Sequence, residues 1–111
     1  MSFLLDTQAI IYFINGDNRL PKRSRDIIRN PANACFISIA SVWEIAIKTS
    51  LNKLALRHDL VAMKKLLNDN QIEILPVNYH HPIQLSKLKY HHRDPFDRII
   101  IAQAINEKLK V

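Results

Sequence analysis

Glycine is almost missing from this chain: Gly16 is the single one among 111 residues. Phosphate cradles of the P-loop or dinucleotide kind need several glycines at fixed spacing, so nucleotide-cofactor enzymes of those classes are excluded. Cysteine is equally scarce. Cys35 alone cannot form an internal disulfide, fits a reducing cytosol, and in its strand-like setting reads as a small buried residue. No apolar run approaches the roughly 20 residues needed to span a bilayer. Met1-Ser2-Phe3-Leu4-Leu5-Asp6 meets an acid before any base, so it does not read as a signal peptide. The expectation is a cytoplasmic protein without a membrane partner. Acids are in the minority, 10 against 16 Lys and Arg, and the net charge is +6. That balance suits a polyanionic partner without identifying one, and a plain basic surface is the alternative.

What is present is a hydrophobic fraction of 48%, enough for one core and a single domain over residues 1–111. Phe3-Leu4-Leu5 reads as a buried strand, and Ala9 to Ile14 as a helix stopped by Asn15-Gly16. Lys22 to Arg29 reads as a helix after Pro21. Its Lys22, Arg23, Arg25 and Arg29 either touch nucleic acid or form a solvated charged face. Cys35 to Ser38 is a second buried strand and Ile39 to Leu51 a helix. Within that helix the spacing places Ile39, Trp43, Ala46, Ile47 and Leu54 toward the core. Leu60 to Leu67 is a further helix and Ile72 to Val77 a third strand, with Pro76 limiting its pairing. Pro82 to Leu88 reads as a short helix. Strands and helices alternate without repeat or linker, which argues for one α/β domain with a mainly parallel sheet.

The chemistry concentrates in a few acids. Residues 91–104, His-His-Arg-Asp-Pro-Phe-Asp-Arg-Ile-Ile-Ile-Ala-Gln-Ala, open a helix: Pro95 suits the first turn, Asp94 its cap. Asp97, Ile101 and Ala104 share one helical face, expected to be buried, so a positive group should meet Asp97, with a metal ion as the leading candidate. Asp6 ends the first strand, where open α/β sheets place ligand sites, or simply caps the next helix. Glu44 is the only acid of its helix. It is either the far end of a capping box with Ser41, an i, i+4 partner of Lys48, or, if Ser38 is the cap, a second-turn acid free for other work. Parallel strands would let Asp6, Glu44 and Asp94/Asp97 converge, and a hard divalent cation would relieve their repulsion and activate water toward a phosphate. The doublets His80-His81 and His91-His92 invite zinc, but adjacent residues rarely share an ion and neither Cys partners nor a His-Glu-x-x-His pattern is present. His91, His92 and Arg93 read as a loop or a phosphate contact.

With Leu4-Leu5-Asp6-Thr7, Ser41 through Lys48 and His91 through Ala104 in view, the chain resembles PIN-domain proteins of the VapC toxin type over essentially its whole length. The resemblance implies a three-layer α/β/α fold and a Mg²⁺- or Mn²⁺-dependent endoribonuclease acting as the toxin of a toxin–antitoxin pair. It implies Asp6, Glu44 and Asp97 as metal ligands, with Asp94 supporting them. RNA and a cognate antitoxin would be the partners, in a homodimer or a toxin–antitoxin hetero-oligomer. Family members usually continue into another strand and a Thr/Ser-x-Asp stretch that adds an acid. This chain stops at Val111, near where that strand would begin, so a C-terminally incomplete domain with an exposed sheet edge is expected. A catalytically silent module that binds RNA or an antitoxin is the alternative.

Overall fold

A computed structural model describes residues 1–88 and 94–111. The chain order among the described residues is β1 (Ser2–Leu5), α1 (Thr7–Asn15), α2 (Lys22–Arg29), β2 (Ala34–Ser38), α3 (Ile39–Ser50), α4 (Leu60–Asp69), β3 (Ile72–Leu75), α5 (His80–Ser86) and α6 (Pro95–Glu107). The sheet has the order β1-β2-β3 and both pairings are parallel. Leu5 lies opposite Ile37, and Ser38 opposite Leu75. The strands therefore end in one row, as the alternation of elements predicts. Beyond α6, Lys110 lies parallel to Phe3, with the Leu4 N–H donating to its carbonyl at 2.6 Å. The last residues thus run along the free side of β1.

Alternate strand residues feed two cores, as a sheet covered on both faces requires. Leu5, Cys35, Ile37 and Ile72 pack with Ile10 and Ile14 of α1, Ile28 of α2, Ile45 of α3, and Met63 and Leu67 of α4. Leu4 faces the other way, onto Ile100 and Ala104 of α6, with Phe36, Leu75 and Ile99 beside them. The result is an α/β/α sandwich. Gly16 ends α1 in the left-handed region (φ 63°), a position that Gly adopts without strain.

Three expectations are corrected. Ile39 and Trp43 do not face the core: they are 41% and 63% exposed. The buried face of α3 is Ala40, Ser41, Glu44 and Ile45, because small residues let α3 approach its neighbours and turn the bulky stripe outward. Trp43 instead meets Phe96 of α6 edge to face, centroids 5.3 Å apart. On α6 the buried residues are Ile100, Ala102, Gln103 and Ala104. Asp97 is exposed and Ile101 half-buried, since burial begins a turn later than the Asp97 face suggested. β3 stops at Leu75 rather than Val77. Pro76 offers no N–H, and its carbonyl accepts from Gln103 Nε2 at 3.3 Å.

His81, fully buried, accepts the Asn78 N–H at Nδ1 (3.1 Å) and meets Glu107 Oε1 through Nε2 (3.1 Å). It ties the start of α5 to the end of α6. His91, His92 and Arg93 lie outside the described residues. No helix among the described residues is long and apolar enough to cross a membrane.

Ile45→Ala should lower stability by about 2–5 kcal/mol. Trp43→Ala should cost about 0.5–1.5 kcal/mol, the worth of its aromatic contact. Urea unfolding midpoints check the order, and the reverse order would restore Trp43 to the core. Burial pushes the Cys35 thiol above its ordinary pKa, so the folded chain should resist iodoacetamide at pH 8 and react only once urea unfolds it.

Candidate active site

The row of strand ends positions the first residues of the site. Asp6 follows β1 directly and caps α1, its Oδ1 accepting the Ala9 N–H at 2.7 Å. The carboxylate stays exposed, and this bond uses one of its oxygens. Ser38, the last residue of β2, caps α3 by accepting the Ala40 N–H at 3.0 Å. Ser41 is therefore not the cap, and there is no Ser41–Glu44 capping box. Its hydroxyl is instead buried and accepts from Thr7 Oγ1 at 2.8 Å. This bond joins α1 to α3 just beside Asp6. Sequence reasoning missed the pairing. The one available signal was a hydroxyl residue next to each acid-bearing turn.

With Ser38 as cap, Glu44 falls in the second turn of α3 and is 5% exposed. Its Oε2 pairs with Lys48 Nζ at 2.8 Å, one turn on. Its Oε1 is buried with no hydrogen-bond partner among the described residues. A buried ionised acceptor left unsatisfied costs about 1–3 kcal/mol or more, so this oxygen is the least satisfied feature of the region. The Glu44 carboxylate raises the Lys48 ammonium above the ordinary lysine range against partial burial, and Asp94 and Asp97 add to the effect. Asp97 is exposed, so the positive partner expected for a buried carboxylate is not required of it.

Asp94 caps α6, its Oδ1 accepting the N–H groups of Phe96 (2.8 Å) and Asp97 (3.3 Å). Asp97 sits in the first turn, where the positive end of the helix dipole favours a carboxylate. α6 runs back against the sheet toward Lys110 beside Phe3, so its start lies at the end where the strands finish. Glu44 pairs with Lys48, Asp94 and Asp97 lie near enough to influence its charge, and Asp6 is linked to α3 through Thr7 and Ser41. The gathering is loose: among the described residues, no three His, Cys, Asp or Glu side chains form a group that could hold a metal ion. The donors are nonetheless the hard oxygens that Mg²⁺ and Mn²⁺ prefer, and Glu44 Oε1 is an unsatisfied one.

Beside the acids, Ile39, Ala40 and Trp43 of α3, Val77, and Pro95, Phe96 and Ile99 of α6 line an apolar groove of about 510 Å³. The residues misassigned to the core therefore form a surface of their own.

Fold and site together define an open parallel α/β protein with carboxylates at its strand ends. Residues 3–111 match the PIN domain, and the chain belongs to the PIN-domain family. Among solved structures it is similar to a chain in the crystal structure of VapBC2 from Rickettsia felis bound to a DNA fragment from their promoter. The TM-score is 0.68 at 18% identity, over 98% of this chain and 84% of that one. At that identity the likeness is one of fold. No curated protein matches the chain.

Lys48→Met leaves Glu44 buried and unpaired. It should destabilise the fold by about 1–3 kcal/mol, toward the lower end because the Lys48 side chain is 46% exposed. Adding Glu44→Gln should recover part of that loss. A double-mutant cycle in urea measures the coupling, and strictly additive losses would show that the pair does not interact.

Proposed function

We propose that the chain is a metal-dependent endoribonuclease of the VapC toxin type, one PIN-like domain over residues 1–111 cutting RNA phosphodiester bonds. The observation that carries this reading is Glu44: a carboxylate at a strand-end site, one oxygen held by Lys48 and the other buried without a partner. Asp6, Glu44 and Asp97 would hold Mg²⁺ or Mn²⁺, with Asp94 orienting the start of α6. When bound, the ion would supply a polarised water and charge neutralisation at the scissile phosphate. The protein's own part is positional. Strand register and caps fix Asp6 and Asp97 at helix starts, Thr7–Ser41 fixes α1 against α3, and Lys48 balances the acids. The ammonium beside three carboxylates also offers a positive contact for a phosphate oxygen.

The loose grouping of the acids favours one second reading, a catalytically silent module that binds RNA or an antitoxin protein. The neighbour of like fold is described as VapBC2, and the groove beside Asp94 and Asp97 offers an apolar segment with a basic side chain a place to bind. An antitoxin, in a toxin–antitoxin hetero-oligomer, is the partner we assign to it; a homodimer is the other assembly the reading allows.

The test is cleavage of single-stranded RNA with Mg²⁺ or Mn²⁺, alongside DNA of the same sequence. Asp6→Asn and Asp97→Asn should each reduce RNA cleavage about a hundred-fold or more, since even residues behind a metal's ligands cost 10–100-fold. Equal cleavage by wild type and both variants would reject these ligands. RNA binding with no EDTA-sensitive turnover would favour the silent module, and preferential DNA cleavage would replace the substrate.

A further inference from the structure

A group of arginines lies at the end of the molecule away from Asp6, Glu44, Asp94 and Asp97. A cavity of about 380 Å³ opens where α1 ends, at Gly16, and where α4 meets the start of β3, at Asn70. Because the strands are parallel, this is the end where they begin, opposite the end that carries Asp6 and Asp97. Arg25 and Arg29 of α2, Arg57 and His58 of the loop before α4, and the Tyr12 ring line it with Asn70. One acid, Asp17, also borders the cavity, but both of its oxygens are taken by Arg19 at 2.7–3.2 Å. Arg19 in turn lies over the Tyr12 ring at 4.8 Å. Among the described residues, no carboxylate stands within ion-pair distance of Arg25, Arg29 or Arg57.

The loop bearing Arg57 and His58 is also fixed in place. Asn15 Oδ1 accepts the Arg57 N–H at 2.9 Å, and Asn15 Nδ2 donates to the Ala55 carbonyl at 3.2 Å. The Arg57 guanidinium lies against Gly16, where an added Cβ would stand 3.2 Å away. Three guanidiniums line one cavity with no carboxylate in ion-pair contact among the described residues; Asp17 on its rim is held by Arg19, and Asp69, which lines the adjoining cavity with Arg29, is held by Lys65. Their planar forks bind phosphate oxygens bidentately, and several positive charges in one cavity suit the multiply charged phosphate better than a singly charged carboxylate. The volume lies within the range of small-ligand sites.

We infer that this cavity is a phosphate-binding site, formed by Arg25, Arg29 and Arg57 at the end of the sheet opposite the acids. The phosphate would come from a nucleic-acid strand or from a free phosphate ion. The inference does not depend on the reading of the carboxylates.

Gly16, the chain's single glycine, supplies an identifiable amide resonance beside Arg57 in the ¹⁵N-labelled protein. Inorganic phosphate should move it saturably, with a dissociation constant on the order of millimolar, while KCl of equal ionic strength should not. Arg25→Gln and Arg57→Gln should each weaken binding about five-fold or more. Lys87→Gln, at the end of α5 and outside the cavity, should leave it unchanged. A 5′-phosphorylated RNA trinucleotide binding at least ten-fold more tightly than inorganic phosphate would identify a strand as the source, and equal affinity would identify free phosphate. A Gly16 signal that does not move, that moves equally with KCl, or that titrates alike in the wild type and both arginine variants would overturn the site.

Discussion

The register of β1 on β2 is the constraint on which the rest depends. Leu5 lies opposite Ile37, so Asp6, just past β1, comes level with Ser38, the last residue of β2. Each caps the helix it begins, and one buried bond between Thr7 and Ser41 then locks the two helices together. A slip of one residue would exchange Leu4 and Leu5 between the two cores. It would also part Asp6 from α3, so packing and the arrangement of acids are specified by the same pairing.

Glu44 is where that packing gives way to something else. A purely structural residue at its position would be apolar or fully paired, because replacing a buried ion pair with hydrophobic groups of similar volume is often neutral or stabilising. Glu44 instead is 5% exposed, satisfied at one oxygen and orphaned at the other. Departures from local optimality of this kind concentrate at functional sites. Lys48 makes the arrangement tolerable in the absence of any ligand. Its partly exposed ammonium pairs with Glu44 Oε2 at 2.8 Å, and the charges of Asp94 and Asp97 favour its protonated form further.

Much of the fold was legible because its punctuation is local. Asn15-Gly16, the Pro21 break and the Asp94-Pro95 cap mark element ends by backbone chemistry, and the Lys22–Arg29 helix falls where its sequence places it. The parallel sheet follows from the alternation of strands and helices. Less legible was which side of a helix is covered. Ile39 and Trp43 have the right spacing for a core stripe, but periodicity identifies a face without saying what covers it. On α3 the close packing goes to Ala40 and Ser41, and the large side chains turn toward α6. Asp97 fails for a related reason: its face is buried only from the following turn. Candidate acids could be picked out from their positions at strand and helix ends. Their actual spacing, and the role of Lys48 among them, depends on tertiary geometry that spacing along the chain does not contain.

The separation of charge changes what the net value of +6 means. A uniform basic surface would attract a polyanion anywhere and position it nowhere. Here Arg25, Arg29 and Arg57 stand at the end where strands begin, and Asp6, Glu44, Asp94 and Asp97 at the end where they finish. Local fields, not the sum, govern where a charged partner settles. A phosphate chain approaching the acidic end meets repulsion unless a cation intervenes, and Lys48 supplies only one charge against Glu44, Asp94 and Asp97. At the other end the balance is reversed, with Arg25, Arg29 and Arg57 in no ion pair among the described residues. On the proposed readings, the arginines that would attract a phosphate and the acids that would act on it are placed apart, so metal occupancy at the acidic end would control the chemistry without abolishing phosphate binding at the other.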